Sequence, residues 1–193
     1  MLIVAYSITI KSQKLSTNKR LVVILWELNN YFYALIQVKM AGLVGEFECA
    51  LDSKGRFLFP AGLRKQLDPA ANEVFMMNKG FENCLTLYPM NEWDKVSTRL
   101  SKLNLFKPKN RMFYRLFHQG AKQLTLDNAG RLLIPTNMTD RIGLKKEIML
   151  TAYNDRIEIW DKKTYFKLME ENVSDFADLA DEVMGETDSN NDE

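Results

Sequence analysis

Cys49-Ala-Leu-Asp-Ser-Lys-Gly-Arg-Phe-Leu-Phe-Pro60 returns 75 positions later as Leu124-Thr-Leu-Asp-Asn-Ala-Gly-Arg-Leu-Leu-Ile-Pro135, with Asp, Gly, Arg and Pro identical and the apolar positions kept apolar. One internal repeat therefore organises the chain. Each copy reads as strand, tight turn, strand, which predicts a hairpin: apolar residues lead in, a short polar segment with Gly reverses direction, and an apolar run leads out. Gly55 and Gly130 supply the positive φ of such a turn, and Asp52 and Asp127 can accept from backbone amides two residues on. Turn formation alone explains the Asp and the Gly in both copies. It does not require Arg56 and Arg131 at the same place twice.

The 193 residues suffice for one compact domain or two small ones, and 46% hydrophobic content is ordinary for a globular protein. The net charge of +1 conceals a division. Of the 25 acidic residues ten lie after Leu168, where there is no Lys or Arg, so the preceding body holds 15 acidic against 26 basic side chains. Cys49 and Cys84 form no Cys-x-x-Cys pair and sit in or near strand-like runs, which suits small buried hydrophobes in a reducing compartment.

Residues 1–39 do not resemble the rest. Their apolar runs are broken by Glu27, Asn29 and Asn30 before a membrane span accumulates, and no signal-peptide cleavage pattern follows. They are expected to be an N-terminal extension upstream of a true start at Met40. The first half, 45–92, continues through a helix opened by Pro60 with Leu63 and Leu67 on one face, then strands over Glu73–Met77 and Cys84–Tyr88. A helical connector, 93–120, begins with Trp93, Val96 and Leu100 at helical spacing. Its basic second part interleaves Lys107, Lys109, Arg111 and Arg115 with aromatics. Such a mixture can form a nucleic-acid platform, but a helix with Met112, Phe113, Leu116 and Phe117 packed inward is the preferred reading. His118 is expected at a helix boundary.

The second half, 121–168, repeats the order. Met138 and Ile142 share a helix face capped by Gly143, Glu147-Ile-Met-Leu150 replays Glu73-Val-Phe-Met76, and Arg156–Trp160 alternates like a half-buried strand. Residues 169–193 form an acidic tail, too polar to fold on its own. It reads as a solubilising appendage, or as a competitor with polyanions for the basic body.

The doubled Asp-x-x-Gly-Arg turn, the Pro after each second strand and the strand-strand-helix sequel resemble the MraZ family of bacterial transcriptional regulators, over about Met40 to Leu168. The resemblance implies an α+β fold with two SpoVT-AbrB-like halves in a pseudo-two-fold, swapped-hairpin-like β-barrel with flanking helices. It also implies ring-shaped homo-oligomers and binding to direct repeats in the double-stranded promoter DNA of the division and cell-wall gene cluster, the protein's own gene included. A cytoplasmic, nucleoid-associated location follows. The family's DNA-binding motif falls on Asp52, Lys54 and Arg56 and again on Asp127 and Arg131; position 129 is Ala where the first copy has Lys54, so the copies are unequal.

Independent chemistry fits. An arginine fork can pair with phosphate or with the guanine edge, a lysine suits phosphate, and the aspartates hold the turn and orient the arginine. With one histidine, two unpaired cysteines and no Gly-rich phosphate loop, neither an enzyme, a metal, a cofactor, a small-molecule substrate nor a membrane is expected. The competing reading is a ring-forming protein-interaction scaffold with incidental DNA binding.

Overall fold

The computed structural model describes residues 42–189, so the expected start at Met40 and the end of the acidic tail lie outside it. Its strands are β1 Leu43–Ala50, β2 Arg56–Leu58, β3 Val74–Lys79, β4 Leu85–Pro89, β5 Lys122–Thr125, β6 Arg131–Leu133, β7 Glu147–Asn154 and β8 Arg156–Asp161. The helices are α1 Ala61–Arg64, α2 Met90–Ser101, α3 Pro108–His118, α4 Thr136–Ile142, α5 Lys162–Asn172 and α6 Phe176–Ser189, with a short 3-10 turn at Pro69–Ala71.

The expected hairpins are not formed as such. The turns exist, but β1 pairs with β7 and β2 pairs with β6, so the strands on either side of each turn belong to different sheets. Six antiparallel strands make one sheet in the order β1-β7-β8-β4-β3-β5, and β2 with β6 makes a two-stranded ribbon. The expected closed barrel is corrected too. Among the described residues the outer strands β1 and β5 do not pair, and β2 and β6, three residues each and bonded to one another, do not bridge them.

The order is a palindrome of equivalent strands, and its register places the axis. Phe57 faces Leu132 in the ribbon and Thr86 faces Glu158 between β4 and β8. Each pair occupies matching positions in the two copies, and equivalent residues opposite one another must straddle the axis that relates them. The edges obey the same symmetry, since Leu51 N–H donates to Lys146 O and Leu126 N–H to Glu73 O. That correspondence shifts the sequence alignment by one: Ile148 and Leu150, not Met149, are the counterparts of Phe75 and Met77. Burial agrees, because these four enter the common core while Met149 packs with Cys84, Trp160 and Tyr165 on the other face.

A single core serves both copies. Phe57 and Leu132 point into it from the ribbon, Leu63, Met138 and Ile142 from α1 and α4, and Leu85, Leu87, Ile157 and Ile159 from the central strands. Each fully buried side chain of this size contributes about 1.5–3 kcal/mol of transfer free energy. The alternation of β1, with Leu43, Phe47 and Cys49 inward and Val44, Glu46 and Glu48 outward, suits an edge strand with one face on the core. Burial pushes the Cys84 thiol up to about 12 and the Cys49 thiol up to about 11, so both remain protonated at neutral pH.

A satellite cluster of Tyr88, Trp93, Val96 and Leu100 holds α2, as the helical spacing predicted. In α3 the expected inward face is only partly right. Phe117 stacks on Trp93 with ring centroids 5.9 Å apart, but Met112, Phe113 and Leu116 are exposed, because Tyr114, Phe117 and His118 are the side chains directed at Trp93 and its neighbours. His118 ends the helix, its Nδ1 2.9 Å from Tyr114 O. Within the tail, α6 spans Phe176–Ser189, and Phe176, Leu179 and Val183 recur at helical spacing among its acidic residues.

Candidate nucleic-acid interface

Each turn is held by one carboxylate with its two oxygens assigned different tasks. Asp52 Oδ1 accepts from the backbone N–H of Lys54 at 2.8 Å and of Arg56 at 3.0 Å, while Oδ2 accepts from Arg56 Nε and Nη2, each at 2.8 Å. Asp127 repeats this: Oδ1 accepts from Ala129 and Arg131 N–H at 2.9 Å each, and Oδ2 from Arg131 Nε and Nη2 at 2.8 Å each. Gly55 and Gly130, at φ 78° and 72°, donate back to the aspartate carbonyls at 3.0 and 2.8 Å. An L side chain at that φ costs about 1–2 kcal/mol.

The hydrogen bonds that build the turn also set its charge. Backbone amides, with the Arg56 guanidinium second, hold the Asp52 carboxyl down at about 2; Arg131, first through its side chain, lowers Asp127. Both aspartates are ionised at neutral pH, so each clamp is electrically near neutral. The guanidinium planes are nevertheless fixed and accessible, with side-chain exposures of 27% for Arg56 and 38% for Arg131, and Nη1 of neither makes a bond among the described residues.

The ribbon carries the two clamps on one face. Arg56 lies opposite Leu133, Leu58 opposite Arg131, and the alternation of a strand puts these four outward while Phe57 and Leu132 face the core. Leu58 and Leu133 are 65% and 50% exposed. The outer surface is thus two arginines on one diagonal and two bare leucines on the other. Phe59 N–H to Gly130 O and Ile134 N–H to Gly55 O, each 3.0 Å, pin each end of the ribbon to the opposite turn.

Beside each turn lies a groove of about 630 Å³, and the two differ in charge. The first is lined by Lys54, Lys145 and Lys146 with Thr136 and Thr139. The matching positions of the three lysines are Ala129, Asn72 and Glu73. The second groove instead has Glu46 and Glu48 on its wall and Arg64, which Glu73 binds at 2.5 Å. All five residues of the sequence motif are therefore at the ribbon ends, Lys54 exposed in the first groove. Lys145 and Lys146 were missed. They stand side by side before β7, and nothing local in the sequence places them near Lys54; the pairing of β7 with β1 does.

Among the described residues other chemistry is sparse. Glu82, Cys84 and Glu158 bring ligand atoms within 4.8 Å, but the Cys84 thiol is buried and held protonated. No helix of the described residues is long and apolar enough to cross a membrane.

The family model described as MraZ protein, putative antitoxin-like, matches residues 43–116 and again 117–185. The Transcriptional regulator MraZ of Christiangramia forsetii is 45% identical over 150 residues, covering 77% of this chain and 97% of that protein. The protein of that name from Flavobacterium psychrophilum is 45% identical over 147 residues, covering 76% and 94%, and that from Natranaerobius thermophilus 36% over 141 residues, covering 73% and 96%. A doubled family match that falls on the two structural copies, with relatives aligned over nearly their whole length, leaves one assignment: the chain belongs to the MraZ family.

Proposed function

We propose that the chain is a sequence-specific DNA-binding transcriptional regulator. It acts as a ring-shaped homo-oligomer on short direct repeats in the promoter of the division and cell-wall gene cluster headed by its own gene, in the cytoplasm at the nucleoid. The observation that carries this reading is the ribbon with an oriented, solvent-facing arginine at each end. A two-stranded β-ribbon is one of the two elements that the major groove, about 12 Å wide, admits. An arginine whose charge is balanced by its own aspartate gains little from phosphate, yet its fixed fork still matches guanine O6 and N7. Leu58 and Leu133 then meet the groove floor beside it, where the thymine methyl is the apolar feature.

Affinity must come from elsewhere, because neutral clamps release few counterions. Lys54, Lys145 and Lys146 supply it as phosphate contacts beside the first turn. A ring then repeats each contact, and every further engagement is intramolecular, raising avidity by about 10²–10⁴.

Arg56→Ala tests the reading in a gel-shift assay on the DNA upstream of the gene. Loss of a base-reading arginine costs about 1–3 kcal/mol per contact, multiplied over the ring, so promoter binding is expected to disappear while the oligomer mass is unchanged. Wild-type affinity would refute the assignment. The apolar surfaces left bare on α3 and α6 favour the scaffold as the second reading. Salt separates the two: DNA binding weakens steeply as salt rises, hydrophobic assembly does not.

A further inference from the structure

The helix pairs that follow the two central hairpins hold the same place in the chain order of the two copies, and their second helices have opposite chemistry. α2 and α3 follow β4, α5 and α6 follow β8. α3, Pro-Lys-Asn-Arg-Met-Phe-Tyr-Arg-Leu-Phe-His, contains no acidic residue, and α6, Phe-Ala-Asp-Leu-Ala-Asp-Glu-Val-Met-Gly-Glu-Thr-Asp-Ser, contains no basic one.

Each presents an apolar stripe to solvent. On α3, Met112 and Leu116 are more than half exposed; Leu116, Phe113 and the neighbouring Phe81 line a cavity of about 230 Å³ that Asn78, Thr86 and Tyr88 also line. On α6, Phe176, Leu179 and Val183 are each more than half exposed at i, i+3 and i+7. Lys79, Lys109 and Arg115 border the first stripe. Asp175, Asp178 and Glu182 run beside the second in a parallel row, one residue earlier at the same spacing. All six are exposed, and none is in an ion pair among the described residues.

We propose that α6 of one copy docks on the α3 face of a second copy, apolar stripe on apolar stripe, with Asp175, Asp178 and Glu182 set against Lys79, Lys109 and Arg115. This deepens the assembly part of the proposed function and rests on it. A second copy is the occupant because each surface finds in the other both the apolar area and the opposite charge that it lacks. Exposed apolar area on this scale is characteristic of interaction sites rather than of free surface. The position of the helices sets the kind of contact. α3 packs beside β3 on one side of the internal axis, while α5, from which α6 continues, packs on β7 and β8 on the other. A contact between two different surfaces is heterologous, and it closes into a ring when the rotation between copies permits.

The test is charge exchange, read as particle mass by sedimentation of the full chain in the absence of DNA. Asp178→Lys with Glu182→Lys on α6, and separately Lys109→Glu with Arg115→Glu on α3, are each expected to weaken self-association at least ten-fold. Combining all four restores the pairing and the mass. These side chains are exposed and outside the core, and circular dichroism of each variant checks the fold. Assembly that survives both reversals, or that the combination fails to restore, overturns the placement of the interface. A wild-type chain that stays monomeric would instead overturn the ring itself, and Arg56→Ala reports on DNA recognition independently of either.

Discussion

The two turns differ in charge and hardly at all in geometry. The Asp52 and Asp127 carboxylates make the same set of bonds to within 0.1 Å, and Arg56 and Arg131 are oriented by the same two contacts. Around the first turn stand Lys54, Lys145 and Lys146; around the second their counterparts are Ala129, Asn72 and Glu73, and the nearby Arg64 is occupied by Glu73. In the proposed function, the two copies share the part that would read bases and differ in the part that would attract phosphate. Pairing with arginine needs fixed geometry, whereas phosphate attraction needs only a cation within reach, so the second tolerates asymmetry that the first does not.

That difference can be attacked directly. The largest effect is expected from Lys54→Ala, Lys145→Ala and Lys146→Ala together. With each phosphate contact accounting for about 0.9 in the slope of log affinity against log salt, the triple variant should lower the slope by about 2.7 per engaged subunit. An unchanged slope would mean that the first groove does not touch DNA. Ala129→Lys should then make the second turn resemble the first, adding about 0.9 to the slope and raising affinity; no change would show that this turn lies away from the phosphates.

A smaller effect probes what the turns share. Replacing thymine by uracil in a duplex selected from a random pool removes only methyl groups, at about 0.8 kcal/mol for each buried carbon, or roughly four-fold in affinity. Wild type should lose this and a Leu58→Ala, Leu133→Ala variant should not. Equal losses in both would remove the leucines from the base-reading face.

The smallest effect concerns acid. The folded Asp52 carboxyl lies at about 2, below its unfolded value of about 3.9. Its contribution to stability is therefore complete above about pH 5 and is lost as pH falls through about 2, with Asp127 displaced in the same direction. Carboxyl carbon chemical shifts should titrate with a midpoint near 2 for Asp52. A midpoint near 4 would show that the clamp is open in solution.

What could be read from the residues was local. The turn chemistry of Asp52 and Gly55, the helix face of Trp93, Val96 and Leu100 and the cap at Gly143 all follow from spacings of a few residues, and the repeat from matching one short stretch with another. Partner choice did not. β1 alternates identically whether β2 or β7 lies beside it, so a hairpin and an exchange between copies predict the same pattern, and only the shared core decides. The one-residue slip between β3 and β7 was hidden because both faces of β7 are apolar, Met149 packing outward as well as Ile148 inward. Lys145 and Lys146 were illegible for the same reason as the strand exchange. On α3, three apolar residues were assigned inward because amphipathic spacing does not distinguish a face turned to the core from one left to solvent.

Phe57 against Leu132 and Thr86 against Glu158 have one more consequence. In a pair of separate, identical half-length chains, any residue on the dyad would meet itself, so a glutamate there would face a glutamate at like charge and a phenylalanine would have to stack on its own copy. Joining the halves in one polypeptide lifts that restriction. A bulky ring can sit against a smaller aliphatic group, and an acid against a hydroxyl, which gives a fused molecule central packings closed to any symmetric dimer of its halves.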